Sequence, residues 1–103
     1  MATYCVTFRI KNATVGGKTY QDRYNSIIEN ANEGSGFWDE PTSFMLISSE
    51  SNTVTFSKKV VAGLSRENDM AFIFDPDDMS ACYFGDVERE DVLLSFFPNA
   101  KKL

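Results

Sequence analysis

The sequence predicts an α+β domain in which two amphipathic helices alternate with short strands. Hydrophobic residues recur with a period of two in residues 3–10 and with a helical period in residues 19–31. Of the 103 residues 43% are apolar, and with only 6 Gly and 3 Pro the composition argues against a disordered chain. This length predicts one domain over residues 1–103, with a core at about 3–75 and a C-terminal appendage at about 79–98.

The first predicted strand, residues 3–10, alternates between an apolar face and a more polar face. The apolar face carries Tyr4, Val6, Phe8 and Ile10. The opposite face carries Thr3, Cys5, Thr7 and Arg9.

A helix follows, and Thr19 and Asp22 have the spacing of a capping box at its start. Its apolar face is predicted to carry Tyr20, Tyr24, Ile27, Ile28 and Ala31. Its polar face is predicted to carry Gln21, Arg23, Asn25, Ser26 and Glu29. The glycine-containing residues 32–36 end this helix.

A strand pair and a second helix come next. Residues 37–40 predict a short strand stopped by Pro41, which cannot donate to a strand ladder. Residues 42–48 are nearly all β-formers and predict a buried strand. The polar residues 48–52 are expected to begin the second helix, which extends to about Leu64.

The C-terminal third begins with a buried strand at residues 70–74. Residues 75–78 then break the chain before a short strand at 81–84. A partly periodic helical segment is predicted from about Asp86 up to Pro98. The remaining residues are expected to form a loose tail.

This order of elements predicts a ferredoxin-like β-α-β-β-α-β sandwich with a short C-terminal strand and a helical appendage. Both long helices are expected to cover one face of the sheet. The other face is expected to present Cys5, Thr7, Arg9 and Met45.

Four segments carry a resemblance to a known family: TYCVTFRI (3–10), YQDRY (20–24), the block from Trp38 to Ile47, and the turn Asn68-Asp69 before MAFIF. Together they resemble small ferredoxin-like proteins of the VapD type, which are related to the small dimeric subunit of the CRISPR integration complex. The resemblance covers most of residues 3–75. It implies a ferredoxin-like fold, and it implies ribonuclease or metal-dependent nuclease activity.

The sequence departs from this family at the end of the first strand. The family has an aspartate where this chain has Arg9, within the triplet Phe8-Arg9-Ile10. A guanidinium repels a metal cation and offers it no acceptor oxygen. The departure therefore predicts a non-catalytic protein, with Asp75 after the fourth strand as the candidate catalytic carboxylate in the alternative case.

Three residues are candidate binding residues. Arg9 is expected either to pair with an acid, on the less apolar sheet face or in a dimer interface, or to hold a phosphate or carboxylate bidentately. Trp38 is expected either to stack on a base or line an interface, or to pack into the core or under the second strand. Ser43 is the third candidate, with a structural role in a strand as the alternative.

Neither a metal site nor a cofactor is predicted. The chain has no His and no paired cysteine motif, which argues against zinc and against Ser-His or Cys-His catalysis. Residues 75–78 lack the spacing and glycine of a calcium loop. Cys5 and Cys82 are expected to be buried free thiols in a cytoplasmic protein, and no apolar run is long enough to span a membrane.

The net charge of −5 is unevenly distributed. Residues 1–66 carry 7 basic and 6 acidic side chains, whereas residues 67–103 carry 3 basic and 9 acidic ones. The acidic third argues against wrapping nucleic acid, so a nucleic-acid partner is the less favoured hypothesis. We expect a non-catalytic homodimeric association domain. The alternatives are a divergent metal-dependent ribonuclease and an acidic mimic of nucleic acid that inhibits a host or defence protein.

Overall fold

A computed structural model describes all residues 1–103 of the chain as one mixed six-stranded sheet with three helices. The strands are β1 (Ala2–Arg9), β2 (Phe37–Trp38), β3 (Phe44–Ser49), β4 (Met70–Phe74), β5 (Ala81–Gly85) and β6 (Lys101–Lys102). The helices are α1 (Tyr20–Ala31), α2 (Thr53–Val60) and α3 (Glu90–Phe96). None of these helices is both long enough and apolar enough to cross a membrane.

The strands lie in the order β2-β3-β1-β4-β5-β6. All neighbouring strands are antiparallel except β5 and β6, which are parallel. This arrangement confirms the α+β class. The complete sheet differs from a simple ferredoxin-like sheet, because β5 and β6 extend it beyond β4.

Helix α1 begins where the capping box was predicted. The backbone N–H of Asp22 donates to Thr19 Oγ1 at 3.0 Å, and the N–H of Thr19 donates to Asp22 Oδ2 at 2.9 Å. Ile27 and Ala31 are fully buried, as the helical period predicts. Tyr20 at the start of the same stripe remains exposed.

The main core lies between the sheet and the helices α1 and α2. It contains 14 buried hydrophobic residues, among them the four apolar residues of the first strand's predicted inner face. Tyr4 stacks on Phe56 of α2 with a ring-centroid distance of 4.5 Å. The prediction from the alternation in β1 is therefore confirmed, because its apolar face is covered by α1 and α2.

The second helix is shorter than predicted. Asn52 is its N-cap, and its side-chain oxygen accepts from the N–H of Thr55 at 2.9 Å. Ser48 and Ser49 belong to β3, where Ser49 is fully buried. The helix ends at Val60, so the prediction of a helix from residues 48–52 to Leu64 was wrong at both ends.

Met45 lies on the helix-covered face, contrary to prediction. It is directly opposite Val6 in the β1–β3 ladder, and it is fully buried in the main core. Directly opposed residues share a face of the sheet, so the face of Val6 decides the face of Met45. The side chains of β3 that point away from α1 and α2 are Phe44, Leu46 and Ser48.

The remaining elements also differ from prediction in extent. Strand β2 contains only the first two of the four residues predicted for it, and α3 begins at Glu90 rather than near Asp86. The predicted loose tail is ordered, since it contains β6 and the N–H of Leu103 donates to the carbonyl of Tyr83 at 2.9 Å.

Candidate interaction surface

The face of the sheet opposite α1 and α2 is built from rows of side chains that run across the strands. Opposed residues in the ladders define each row. One row contains Trp38, Leu46, Cys5, Phe74 and Ala81. The next contains Phe44, Thr7, Phe72, Tyr83 and Lys102. Arg9 and Met70 form a third row near the C-terminal end of β1.

Helix α3 covers the β4–β5 part of this face. Phe72, Ala81 and Tyr83 form a small buried cluster, against which Leu93, Leu94 and Phe97 pack. Phe97 lies 4.9 Å from Phe72 and 5.3 Å from Phe74 between ring centroids. No residue of α3 itself is fully buried, so this second core is thin compared with the main one.

The other part of the face, over β1, β3 and β2, has no helix on it. We call it the open half-face, and it consists of Thr3, Thr7, Arg9, Trp38, Phe44, Leu46 and Ser48. Trp38 is 42% exposed, and Phe44 and Leu46 are half-buried. A shallow hollow of about 170 Å³ lies beside Trp38, Leu46 and Thr3. The open half-face is therefore a mixed surface with an apolar centre.

Arg9 is the one cation on the open half-face, and it has no carboxylate partner. Its Nη2 donates to the main-chain carbonyl of Asp86 at 3.1 Å, and the side chain is exposed. The predicted ion pair with an acid does not form within the chain, while a contact of Arg9 with a phosphate or carboxylate ligand stays a prediction. The guanidinium is held at one end of the face with donors still directed to solvent.

The structure places Trp38 and Arg9 on the same face of the sheet, on different strands. Trp38 is exposed rather than packed into the core, and its Nε1 donates to Glu40 Oε2 at 2.5 Å. Ser43 lies just before β3 rather than within it. Its carbonyl accepts from the N–H of Phe8 at 3.2 Å, so its backbone extends the β1–β3 pairing.

Asp75 lies at the opposite end of β1 from Arg9. Strand β4 is antiparallel to β1, with Phe74 opposite Cys5 and Met70 opposite Arg9. The Asp75 carboxylate is buried and accepts from the N–H of Asp77 at 2.8 Å, which organises the turn after β4. Asp75 therefore does not lie near the site that the family's aspartate position would occupy.

No metal-binding cluster is formed anywhere in the chain. The structure brings together no group of three or more His, Cys, Asp or Glu side chains with ligand geometry. In the same turn, the Asp78 carboxylate is hydrogen-bonded to Ser80. It accepts from the N–H of Ser80 at 2.8 Å and from its Oγ at 2.6 Å. These hydrogen bonds hold the pKa of the Asp78 carboxyl below its usual range.

The acidic residues of the C-terminal third do not form one continuous surface. Asp77 and Asp78 follow β4, whereas Asp86 and Glu88 follow β5 and lie at the other end of the sheet. A five-residue strand separates the two groups by about 17 Å. Asp69 is removed from the surface altogether, because it is fully buried.

Asp69 pairs with Arg23 inside the protein, and sequence analysis missed this pair. Arg23 Nε lies 2.9 Å from Asp69 Oδ2, and both side chains are essentially inaccessible, at 1% and 0%. The guanidinium also donates to the carbonyls of Lys11, Ala13 and Lys18. Asp69 in turn accepts from the N–H groups of Lys11 and Ser65.

All five donors of Arg23 are thereby used, which makes the pair a structural clamp between α1 and two loops. A signal for its burial existed in the sequence. Arg23 lies three residues after Tyr20 and four before Ile27, and therefore on the apolar stripe of α1. The prediction that it lies on the polar face was wrong.

Both cysteines are buried free thiols, as predicted. Burial raises the pKa of the Cys5 thiol, and the nearby Asp75 carboxylate raises it further. Burial also raises the pKa of Cys82, which faces α2. At Cys82 the effect of burial outweighs the lowering of the pKa by the Ser57 hydroxyl, Lys101 and Lys58.

In comparisons with protein-family models, curated proteins and solved structures, none matches this chain. What the open half-face does must therefore be inferred from its own residues.

Proposed function

We propose that this chain is a non-catalytic association domain that forms a homodimer through the open half-face. The observation that carries the proposal is the unequal cover of the sheet. Helix α3 shields the β4–β5 part, while Trp38, Phe44 and Leu46 remain in contact with solvent beside it. A mixed apolar and polar patch on a small domain is a common site of self-association.

The proposal includes a ferredoxin-like core. Strands β1 to β4 follow the order β2-β3-β1-β4 with antiparallel neighbours, and α1 and α2 are the crossover helices on one face. That order supports the core, with β5, α3 and β6 as an addition to it. A non-catalytic relative of the VapD and CRISPR small-subunit families, located in the cytoplasm, is consistent with this core.

Charge supports a protein partner over a nucleic acid at this surface. Arg9 is its single cation, whereas nucleic-acid binding needs several cations along a backbone. The net charge of −5 adds a long-range repulsion toward polyanions. An apolar centre with few charges is instead the usual composition of a protein–protein interface core.

Charge also favours one arrangement of the two copies. A two-fold axis parallel to the strands would bring the two Arg9 side chains together. An axis perpendicular to the strands places Arg9 against the other end of the partner's sheet, where the exposed Asp77 follows β4. Opposite charges then meet, so this second arrangement is the proposed one.

Light scattering coupled to gel filtration tests the proposal. We expect a mass twice the 11.6 kDa of the chain at protein concentrations of tens of micromolar. Leu46→Lys places a charge at the centre of the open half-face and should produce a monomer. Val92→Lys is the matched control, because Val92 is 37% exposed on α3 and lies outside that surface.

A monomeric wild-type protein, or a dimer that persists in Leu46→Lys, would overturn the homodimer. The non-catalytic part has its own test, an RNA-cleavage assay with Mg²⁺ or Mn²⁺ beside Asp75→Ala. Metal-dependent cleavage that disappears in that variant would show an enzyme.

A further inference from the structure

A second surface lies on the other side of the molecule, between α2 and β6. One wall is the outer flank of α2, where Val54, Lys58, Val61 and Ala62 follow helical spacing. The other wall is formed by Lys101, which lies opposite Cys82 on the α2 side of the sheet, and by Leu103. We call this concavity the α2–β6 groove, and it shares no residue with the open half-face.

The groove contains two hollows that differ in polarity. Toward the end of α2 it is mainly apolar, with a volume of about 400 Å³ and with Val61, Leu64, Phe84 and Leu103 among its lining residues. Toward the start of α2 it is polar, with a volume of about 500 Å³ and with Thr53, Thr55, Ser80 and Lys101 among its lining residues. Lys58 lies between them on the same flank of the helix.

The charge of the groove is opposite to that of the whole protein. Lys58, Arg66 and Lys101 line it, and none of them forms an ion pair with a side-chain carboxylate. Its one acidic residue, Asp78, has its carboxylate engaged by Ser80. Three cations thus face one occupied carboxylate on a chain of net charge −5.

On α2 and β6, each lysine that faces the groove is followed in sequence by a lysine that is paired. Lys59, the next residue after Lys58, pairs with Glu33 at 3.0 Å. Lys102, the next residue after Lys101, pairs with Glu90 at 3.3 Å on the opposite face of the sheet. Lys58 and Lys101 are thus left without a carboxylate partner, whereas Arg66 lies over the Phe84 ring and donates to the main-chain oxygen of Leu103.

We infer that the α2–β6 groove binds an extended acidic peptide segment with interspersed apolar side chains. Glutamate or aspartate side chains pair with Lys58 and Lys101, and an apolar side chain enters the space beside Leu64 and Leu103. The inference does not depend on the dimer, because the two surfaces lie on different faces of the sheet.

The same residues disfavour a nucleic acid as the occupant. The aromatic ring of the groove, Phe84, is buried, and Arg66 lies over it at 4.9 Å, so no ring face is open to a base. Stacking on exposed aromatic rings supplies much of the affinity for single strands. Three cations are also few for a phosphate backbone that approaches a protein of net negative charge.

Fluorescence anisotropy with a labelled peptide tests the inference. The probe alternates Glu and Leu over about ten residues, which extend to about 33 Å. We expect a dissociation constant below about 100 µM at low salt, and weaker binding as salt is added. Two further probes are the same peptide with Gln in place of Glu, and an oligothymidine of similar length.

Charge reversal locates the binding site. Lys58→Glu/Lys101→Glu should weaken binding of the Glu–Leu peptide by at least about tenfold. Lys11→Glu/Lys18→Glu is the matched control, because it changes the net charge equally on an exposed loop between β1 and α1. The single variants Lys58→Gln and Lys101→Gln should each give part of the loss, with unfolding temperatures unchanged.

The inference is overturned by failure of the Glu–Leu peptide to bind, by equal binding of the Gln–Leu peptide, or by an equal loss in the control variant. Tighter binding of the oligothymidine would overturn it in favour of a nucleic-acid site. None of these results bears on the oligomeric state, so the two proposals fail separately.

Discussion

The two faces of the sheet are covered to very different degrees. On one face, α1 and α2 enclose a core of 14 buried residues. On the other, α3 covers a cluster of three buried residues and leaves the open half-face without a helix. The same β1 strand contributes to both faces, through Val6 and Phe8 on one and Thr7 and Arg9 on the other. The larger core thus lies on one side of the β1 strand, and the surface for which we propose association lies on the other.

Each side of the sheet also has an ion pair, and the two pairs differ in burial, as the two cores do. Arg23 and Asp69 are buried and fully hydrogen-bonded, with accessibilities of 1% and 0%. Lys102 and Glu90, beside α3, are exposed at 64% and 39%. Breaking a buried pair leaves an uncompensated charge, whereas an exposed charge stays hydrated.

The largest expected effect comes from the buried pair. Asp69→Asn removes the countercharge of Arg23 and should lower the free energy of unfolding by about 3–5 kcal/mol. Urea denaturation followed by circular dichroism measures this loss. Lys102→Met, at the exposed pair, should leave the denaturation midpoint nearly unchanged. Similar losses in both variants would contradict the difference between the two sides.

Alanine substitution of one phenylalanine in each core compares the contributions of the two cores to stability. Phe56→Ala should cost about 3–5 kcal/mol, because the ring is fully buried against Tyr4 and its loss leaves a cavity. Phe97→Ala should cost less, about 1–2 kcal/mol, because that ring is only half-buried on the second face.

Both losses are read from urea denaturation midpoints at a constant m-value. A cost for Phe97→Ala as large as that for Phe56→Ala would show that the second core is as tightly packed as the first.

The smallest expected effect is a pH dependence on the helix-covered side. The Ser49 hydroxyl, which donates at 2.7 Å, and then Lys59 hold the pKa of Glu33 below its usual range. A lowered folded-state pKa contributes stability above the unfolded pKa, and this is lost as pH falls through the folded value. The urea midpoint should therefore fall between about pH 5 and about pH 3.

Glu33→Gln should flatten that fall. Glu67→Gln is its control, because Glu67 is exposed and has no ion pair or side-chain hydrogen bond. An unchanged pH profile in Glu33→Gln would show that the hydrogen bond to Ser49 does not stabilise the fold.

The sequence by itself determined the elements whose pattern is local. The alternation of residues 3–10 gives the correct faces of β1, and Thr19 with Asp22 marks the start of α1. In both cases the signal lies within a few residues, so no distant contact is needed to read it.

The tertiary structure alone decided which surfaces are covered. Residues 44–47 are all apolar, so the sequence has no alternation from which to assign Met45 to a face. Pairing with Val6 makes that assignment, and it comes from a strand nearly forty positions away. The burial of Arg23 likewise required Asp69 from another loop, although its place on the apolar stripe of α1 was visible.

The two surfaces proposed here were also decided by tertiary contacts. The sequence of the C-terminal tail predicts a loose segment. In the structure, β6 of this tail pairs with β5, and that pairing creates one wall of the α2–β6 groove. The open half-face exists because α3 is too short to cover β1 and β3 as well as β4 and β5. Periodicity specifies the face of a strand or helix on which a side chain lies. Whether that face is buried depends on which distant segment of the chain packs against it.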